Sequence, residues 1–165
     1  MPGPYHPLVE GWKSIASTME WSSSPDPDDG GIGFLVPLDL GGIVIQQLAL
    51  RGAAYGHIAD AAVTLQLEIG LAGKRTRLPL TRIDWRPKND GHKNPDKVLL
   101  YGTHIHRFHP NWLKKEQRML TGNLPWAEKP NDINTFHELL DFAKILFRIN
   151  NIASVPEPGW SPKLI

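Results

Sequence analysis

The stretch Ala62-Val-Thr-Leu-Gln-Leu-Glu-Ile-Gly-Leu-Ala-Gly-Lys-Arg-Thr-Arg-Leu-Pro-Leu-Thr-Arg-Ile-Asp-Trp85 decides the fold. In its first half Val63, Leu65, Leu67 and Ile69 alternate with Thr64, Gln66 and Glu68. A period of two puts the apolar set on one face of a strand and the polar set on the other. Ala72-Gly73-Lys74 supplies a turn, and Arg75 to Trp85 reads as the returning strand. On that strand plain alternation groups Leu78 and Leu80 with Arg82 and Asp84, and Thr81 with Ile83 and Trp85.

Working outward toward the N-terminus, Ile32 to Leu38 is an apolar run, and Asp39-Leu40-Gly41-Gly42 is a turn. Ile43 to Leu50 completes a hairpin, and Arg51 to Ala59 reads as a connection. Before it, Ser22 to Gly31 is dense in turn formers and predicts a loop, while Pro7 to Met19 carries apolar residues at near-helical spacing. Toward the C-terminus, Arg86 to Lys97 is a loop by composition, and Val98 to Phe108 predicts a fifth strand with a break at Gly102. Pro110 to Leu120 suits a short polar helix, and Thr121 to Asn134 another loop.

From Thr135 to Ile149, Phe136, Leu139, Leu140, Ala143, Leu146 and Phe147 follow the three-four spacing of a buried helical stripe. Thr135-x-x-Glu138 fits a capping box at its start, and Asn150-Asn151 suits its end. Val155 to Ile165 reads as an irregular tail. Four strands joined by short turns, a fifth, and one amphipathic helix predict an α+β domain: an antiparallel sheet of about five strands with the helix packed on one face. One domain over residues 1–165 suits the length, with 1–31 an N-terminal helix and loop and 153–165 the tail.

Composition narrows the chemistry. The chain has no cysteine, which excludes disulfides, thiolate catalysis and cysteine-ligated zinc and is compatible with a reducing cytoplasm. No apolar run approaches the roughly 20 residues of a membrane helix, and Met1 to His6 lacks the pattern of a signal peptide, so the expectation is a cytoplasmic protein without membrane contact. The net charge is only +1. Between Gly73 and Arg118, however, twelve Lys/Arg stand against four Asp/Glu, an arrangement that suits phosphates or an acidic partner.

That basic block contains the histidine-rich stretch. His92, His104, His106 and His109 are four of the seven histidines in the chain. His104 and His106, two apart on a strand, leave the same face, with Phe108 following them. Paired imidazoles suit acid–base work near neutral pH: one ring accepts a proton while its neighbour donates one. With Arg82 as a phosphate clamp, Asp84 as an orienting carboxylate and His92 as an accessory group, the set could cleave RNA without a metal or cofactor.

The same histidines, with His92, His109 or Asp84 as a third ligand, could instead hold zinc, nickel or iron. Arg82 and Asp84 could also be no more than a cross-strand ion pair. Known metal and histidine patterns fit poorly: no glutamate follows the pair as in a cupin, Phe108 stands where a histidine triad needs its third ring, and no second His-x-Thr is present. Walker loops, dinucleotide fingerprints and Gly-x-Ser-x-Gly elbows are also missing.

Taken in order, Arg82-x-Asp84, His92-x-Asn94-Pro95, Gly102-Thr-His104-x-His106, Leu124-Pro125 and the Phe136–Ile152 helix with its terminal Asn-Ile resemble an uncharacterised family of short bacterial and prophage proteins. The resemblance runs from about Trp12 to Ile152 and takes in Arg51-Gly52. More remotely, the motif order is similar to that of the TumE family of toxins from toxin–antitoxin pairs. That likeness implies ribonuclease-like action and nucleic-acid contact at His104, His106, Arg82, Asp84 and His92. The chain departs from the family at Pro110 to Gly122, which reads as an insertion. A non-catalytic, inhibitor-type protein that binds RNA or an acidic partner protein, in an undetermined oligomeric state, is the second expectation, and a metal-dependent enzyme at His-x-His is the third.

Overall fold

A computed structural model describes residues 3–23, 30–89, 91–112 and 123–160. The fold is α+β. Strands β1 (Lys13–Ile15), β3 (Gly31–Leu40), β4 (Ile43–Tyr55), β5 (Val63–Gly70), β6 (Arg77–Trp85) and β9 (His104–His106) lie side by side in that order. Every neighbouring pair is antiparallel, and β2 (Ser22–Ser23) shares the outer edge of β3 with β1. A separate two-stranded ribbon, β7 (His92–Lys93) with β8 (Leu99–Leu100), spans the loop between β6 and β9. Helices α1 (His6–Glu10) and α2 (Phe136–Phe147) flank the chain, with a 3-10 turn at Ile152–Ser154.

The sheet has one apolar face. Phe34, Val36, Leu48, Leu50, Val63, Leu65, Leu67, Ile83, Trp85 and Ile105 form a core with Phe136, Leu139, Leu140, Ala143 and Phe147 of α2. Gly52 is required here: a Cβ would lie 2.1 Å from the ring of Phe34, which packs over it. Trp85 is fully buried and donates its indole N–H to the carbonyl of Ile133, 2.8 Å away, so its one polar atom is satisfied. Thr135 caps α2 by accepting from the Glu138 amide at 3.0 Å, while the Glu138 carboxylate reaches back to the amide of Asn134 at 2.6 Å. The Thr135 half of the predicted capping box is therefore made, while Glu138 reaches one residue past the N-cap, to the amide of Asn134 rather than of Thr135.

One departure from plain alternation governs the far face. Glu68 pairs with Pro79 and Leu67 with Thr81, so Leu80 is an extra residue in β6. This β-bulge resets the phase. Leu78 pairs with Ile69 and is buried with Leu80, Ile83 and Trp85, while Arg82 and Asp84 take the opposite face. The expected grouping of Leu78 and Leu80 with Arg82 and Asp84 is thereby corrected. A run that would place leucines beside ionic groups instead separates them.

Other boundaries also move. The N-terminal helix ends at Gly11, and Lys13–Ile15 is a strand rather than a continuation of it. The ammonium of Lys13 is buried and donates to the carbonyls of Leu8, Val9 and Gly11 at 2.7, 3.2 and 2.6 Å, closing the end of α1. The predicted connection at Arg51 is strand, because β4 runs to Tyr55, and Ser22–Ser23 is strand where a loop was expected. Phe108 does not continue β9: residues 108–112 are helical and its ring joins the core. The rest of the expected polar helix, like most of the Pro110–Gly122 segment, lies outside the described residues. At the far end the side-chain oxygen of Asn151 accepts from the amide of Ile15 at 2.7 Å, and the Asn150 amide donates to Lys13 at 2.9 Å. The helix itself ends at Phe147 with Arg148 in the left-handed conformation (φ 53°), and Asn150-Asn151 then dock the chain on the edge of the sheet. Among the described residues no helix is long and apolar enough to cross a membrane.

Candidate functional site

The face of the sheet opposite α2 carries the polar residues, and strand register brings them together. Arg82 pairs with His106 and Asp84 with His104 across β6 and β9, while Thr64 and Gln66 of β5 pair with Asp84 and Arg82. Register partners on one face have Cβ atoms about 5 Å apart, so these side chains must interact.

Asp84 is the hub. Its Oδ1 accepts from Thr64 Oγ1 at 2.7 Å and from Arg82 Nη2 at 2.9 Å. Its Oδ2 accepts from Arg82 Nε at 2.9 Å and lies 3.2 Å from His104 Nε2 and 3.6 Å from His106 Nε2. Burial alone would raise the pKa of this carboxyl. Hydrogen bonding to His104, His106 and Arg82 outweighs burial and holds it well below the usual carboxylate range.

The two strand histidines diverge. Burial disfavours a charged His104, but Asp84 and the carbonyl of Gly102 win, and its pKa is raised. Its Nδ1 lies 2.9 Å from the Gly102 oxygen, to which it donates. That carbonyl is presented by a backbone with φ of +76° at Gly102, a conformation glycine adopts without strain. For His106, burial outweighs the attraction of Asp84, the charges of Arg82 and His104 add to it, and the pKa falls. His106 Nδ1 is buried with no hydrogen-bond partner among the described residues.

His92 arrives from the β7–β8 ribbon. Its Nε2 lies 2.8 Å from the carbonyl of Pro125 and donates to it, which leaves the lone pair on Nδ1. Its ring stacks on His104 at 5.4 Å between centroids and meets His106 edge-on at 4.9 Å. Asn94 fixes this arrangement. Its amide nitrogen donates to the Ala127 carbonyl at 2.8 Å, and its oxygen accepts from the Ala127 amide at 2.9 Å. The His-x-Asn motif is thus a histidine together with the clamp that seats it, a role its spacing did not disclose.

One ring nitrogen from each of His92, His104 and His106 lies within 4.8 Å of the other two. Clefts of about 350 and 390 Å³ approach this cluster from either side, and Arg82, His92 and His104 line both. All five residues singled out in the sequence (Arg82, Asp84, His92, His104 and His106) therefore meet. His109 does not: its Nε2 faces Glu10 at 3.5 Å, away from the cluster. Arg82 is also more committed than a free phosphate clamp would be. Its Nε–Nη2 edge is taken by Asp84, leaving Nη1 without a hydrogen-bond partner among the described residues.

No family model, curated protein or solved structure matches the chain.

Proposed function

We propose that this protein is a metal-dependent enzyme whose centre is built by His92, His104 and His106, with Asp84 beside them. The observation that carries the reading is the convergence of three ring nitrogens within 4.8 Å, two of the rings having their other nitrogen tied to a backbone carbonyl. Such ties fix tautomer and orientation, and they are the usual supporting shell of a ligating histidine. Ligand bonds of about 2.0–2.1 Å meeting at a tetrahedral angle set neighbouring donors about 3.3 Å apart. The three ring nitrogens lie within 4.8 Å of one another, so shifts of about 1 Å bring them to that edge. The all-nitrogen-and-oxygen donor set suits zinc, and with three histidine ligands a fourth position is open to water or substrate.

A second reading, metal-independent cleavage of RNA as in toxin-like ribonucleases, is favoured by one observation. His104 and His106 are shifted in opposite directions, as an acid and a base side by side would be. In that reading His104 donates, His106 accepts, and a phosphate meets the Nη1 side of Arg82.

Zinc titration against a chromophoric chelator, paired with an RNA-cleavage assay in excess chelator, separates the two. One equivalent of zinc, bound about 10–100-fold more weakly by His92→Ala or His104→Ala, is expected. Cleavage that persists in chelator and disappears in the His104→Ala, His106→Ala double variant would overturn the metal reading in favour of the second. Neither zinc nor cleavage would leave a non-catalytic binding protein as the better account.

A further inference from the structure

Beside the histidine cluster, the polar face of the sheet carries a trough whose floor is a single row of residues. Gly33 pairs with Ala53, Ala53 with Thr64, Thr64 with Asp84, and Asp84 with His104. The first three have small side chains or none. Gly33 to His104 is four inter-strand steps of about 4.8 Å, roughly 19 Å in all. A cleft of about 540 Å³ lies over Gly33, Ala53 and Thr64, and it shares Tyr55, Ala62 and Thr64 with the 350 Å³ cleft that reaches Asp84 and His104. The two form one path that ends at the candidate centre.

The walls differ from the floor. On one side the register row Leu35–Arg51–Gln66–Arg82–His106 runs parallel to the trough. Arg51 turns its Nε and Nη2 toward the buried carboxylate of Glu68. Its Nη1, like that of Arg82, has no hydrogen-bond partner among the described residues. On the other side stands Tyr55, with the exposed Lys88 ammonium 4.9 Å from its ring centroid. Arg51 and Tyr55 are four residues apart on β4, roughly 13 Å, which admits one strand of a polymer and not a duplex. Among the described residues, the two clefts are lined by Arg51, Arg82 and Lys88 and by one carboxylate, Asp84, which is buried.

We infer that a single-stranded nucleic acid lies along the Gly33–Ala53–Thr64 trough, its phosphates on Arg51, Arg82 and Lys88, with a base against Tyr55 and its end delivered to the histidine centre. Cationic walls that track a backbone, with an aromatic ring beside them, are what sequence-tolerant recognition of single strands requires. A trough of this length holds a segment of roughly four to six nucleotides. The inference rests on the metal-centre reading only for what happens at the trough's end; binding along it stands separately.

The test is fluorescence anisotropy with a labelled RNA of about 12 nucleotides at about 50 mM salt. Ala53→Leu fills the floor and Lys88→Glu reverses a wall charge. Both residues are exposed and outside the core, so a thermal melt should show the fold unchanged. Each substitution is expected to weaken binding about tenfold, the loss of one stacked base or one well-placed charge. A duplex of the same sequence should bind at least about tenfold more weakly than the single strand, and zinc stoichiometry should not change in either variant. Wild-type affinity in both variants, or equal affinity for the duplex, would overturn the inference. So would a wild-type protein that holds zinc but no RNA, without harm to the metal reading. RNA binding that follows the trough variants in a protein without zinc would instead overturn the metal reading and leave this inference standing.

Discussion

Asp84→Asn tests the hub of the candidate site directly. The carboxylate accepts from Thr64, twice from Arg82, and faces His104 at 3.2 Å. An asparagine can keep one oxygen toward Thr64 and Arg82 Nη2. Its amide then confronts the Nε–H of Arg82 and the protonated Nε2 of His104, donor against donor. A hydrogen bond to a charged group is worth about 1.5–3 kcal/mol, and breaking a buried pair costs about 3–5 kcal/mol because a charge is stranded. Two features reduce the loss here. The Arg82 side chain is 43% exposed and can be rehydrated, so its share is closer to about 1 kcal/mol. His104 can shed its proton once the carboxylate is gone. The expected cost is therefore about 2–4 kcal/mol, or roughly 5–12 °C in Tm for a chain of this size. The assay is urea and thermal unfolding of both proteins in chelator, so that metal binding to the folded state does not contribute. A loss below about 1 kcal/mol would mean that the network around Asp84 does not hold the face together, and the reasoning would fail.

Three further outcomes are expected. Asn94→Ala should keep the fold but release His92 from its seat, weakening zinc binding about 10–100-fold in chelator competition, and unchanged affinity would show that the clamp is irrelevant to the centre. Phe147→Ala removes a ring with no exposed surface at the base of α2 and should cost about 3–5 kcal/mol in urea unfolding, whereas a loss under about 1 kcal/mol would place that ring outside the core. For Lys13, burial and the nearby Arg148 charge lower the pKa from 10.5 to about 8. The unfolded chain then binds more protons than the folded one between those values, so stability rises with pH across that window. The wild-type stability relative to Lys13→Met should therefore increase by about 3 kcal/mol from pH 7 to above pH 10.5, and a decrease would contradict the buried, desolvated ammonium.

How much of this was legible in the chain depended on the range of the forces involved. The β5 alternation, the Phe136–Phe147 stripe and the Thr135–Glu138 cap are local patterns, written within a few residues of where they act. They sufficed for an α+β fold with a helix on one sheet face, and the His104–His106 spacing sufficed to put both rings on one side. Six strands rather than five lie in the row because Lys13–Ile15 becomes a strand only by pairing with Leu38–Leu40, a contact its own residues do not advertise.

The site required the third dimension. Which face Arg82 and Asp84 take is decided by the extra residue Leu80, since a strand's period of two makes one inserted residue exchange the faces beyond it. What drives the choice is that leucines gain by leaving water while paired ions lose by it, and that balance is struck only once β5 and α2 are in place. His92 joins His104 and His106 because Pro125 and Ala127, 33 residues away, hold it and Asn94 there. The sequence by itself determined the elements and the residue types available for chemistry. The tertiary structure alone decided which of them meet, because register, bulge and long-range hydrogen bonds depend on partners that no local window contains.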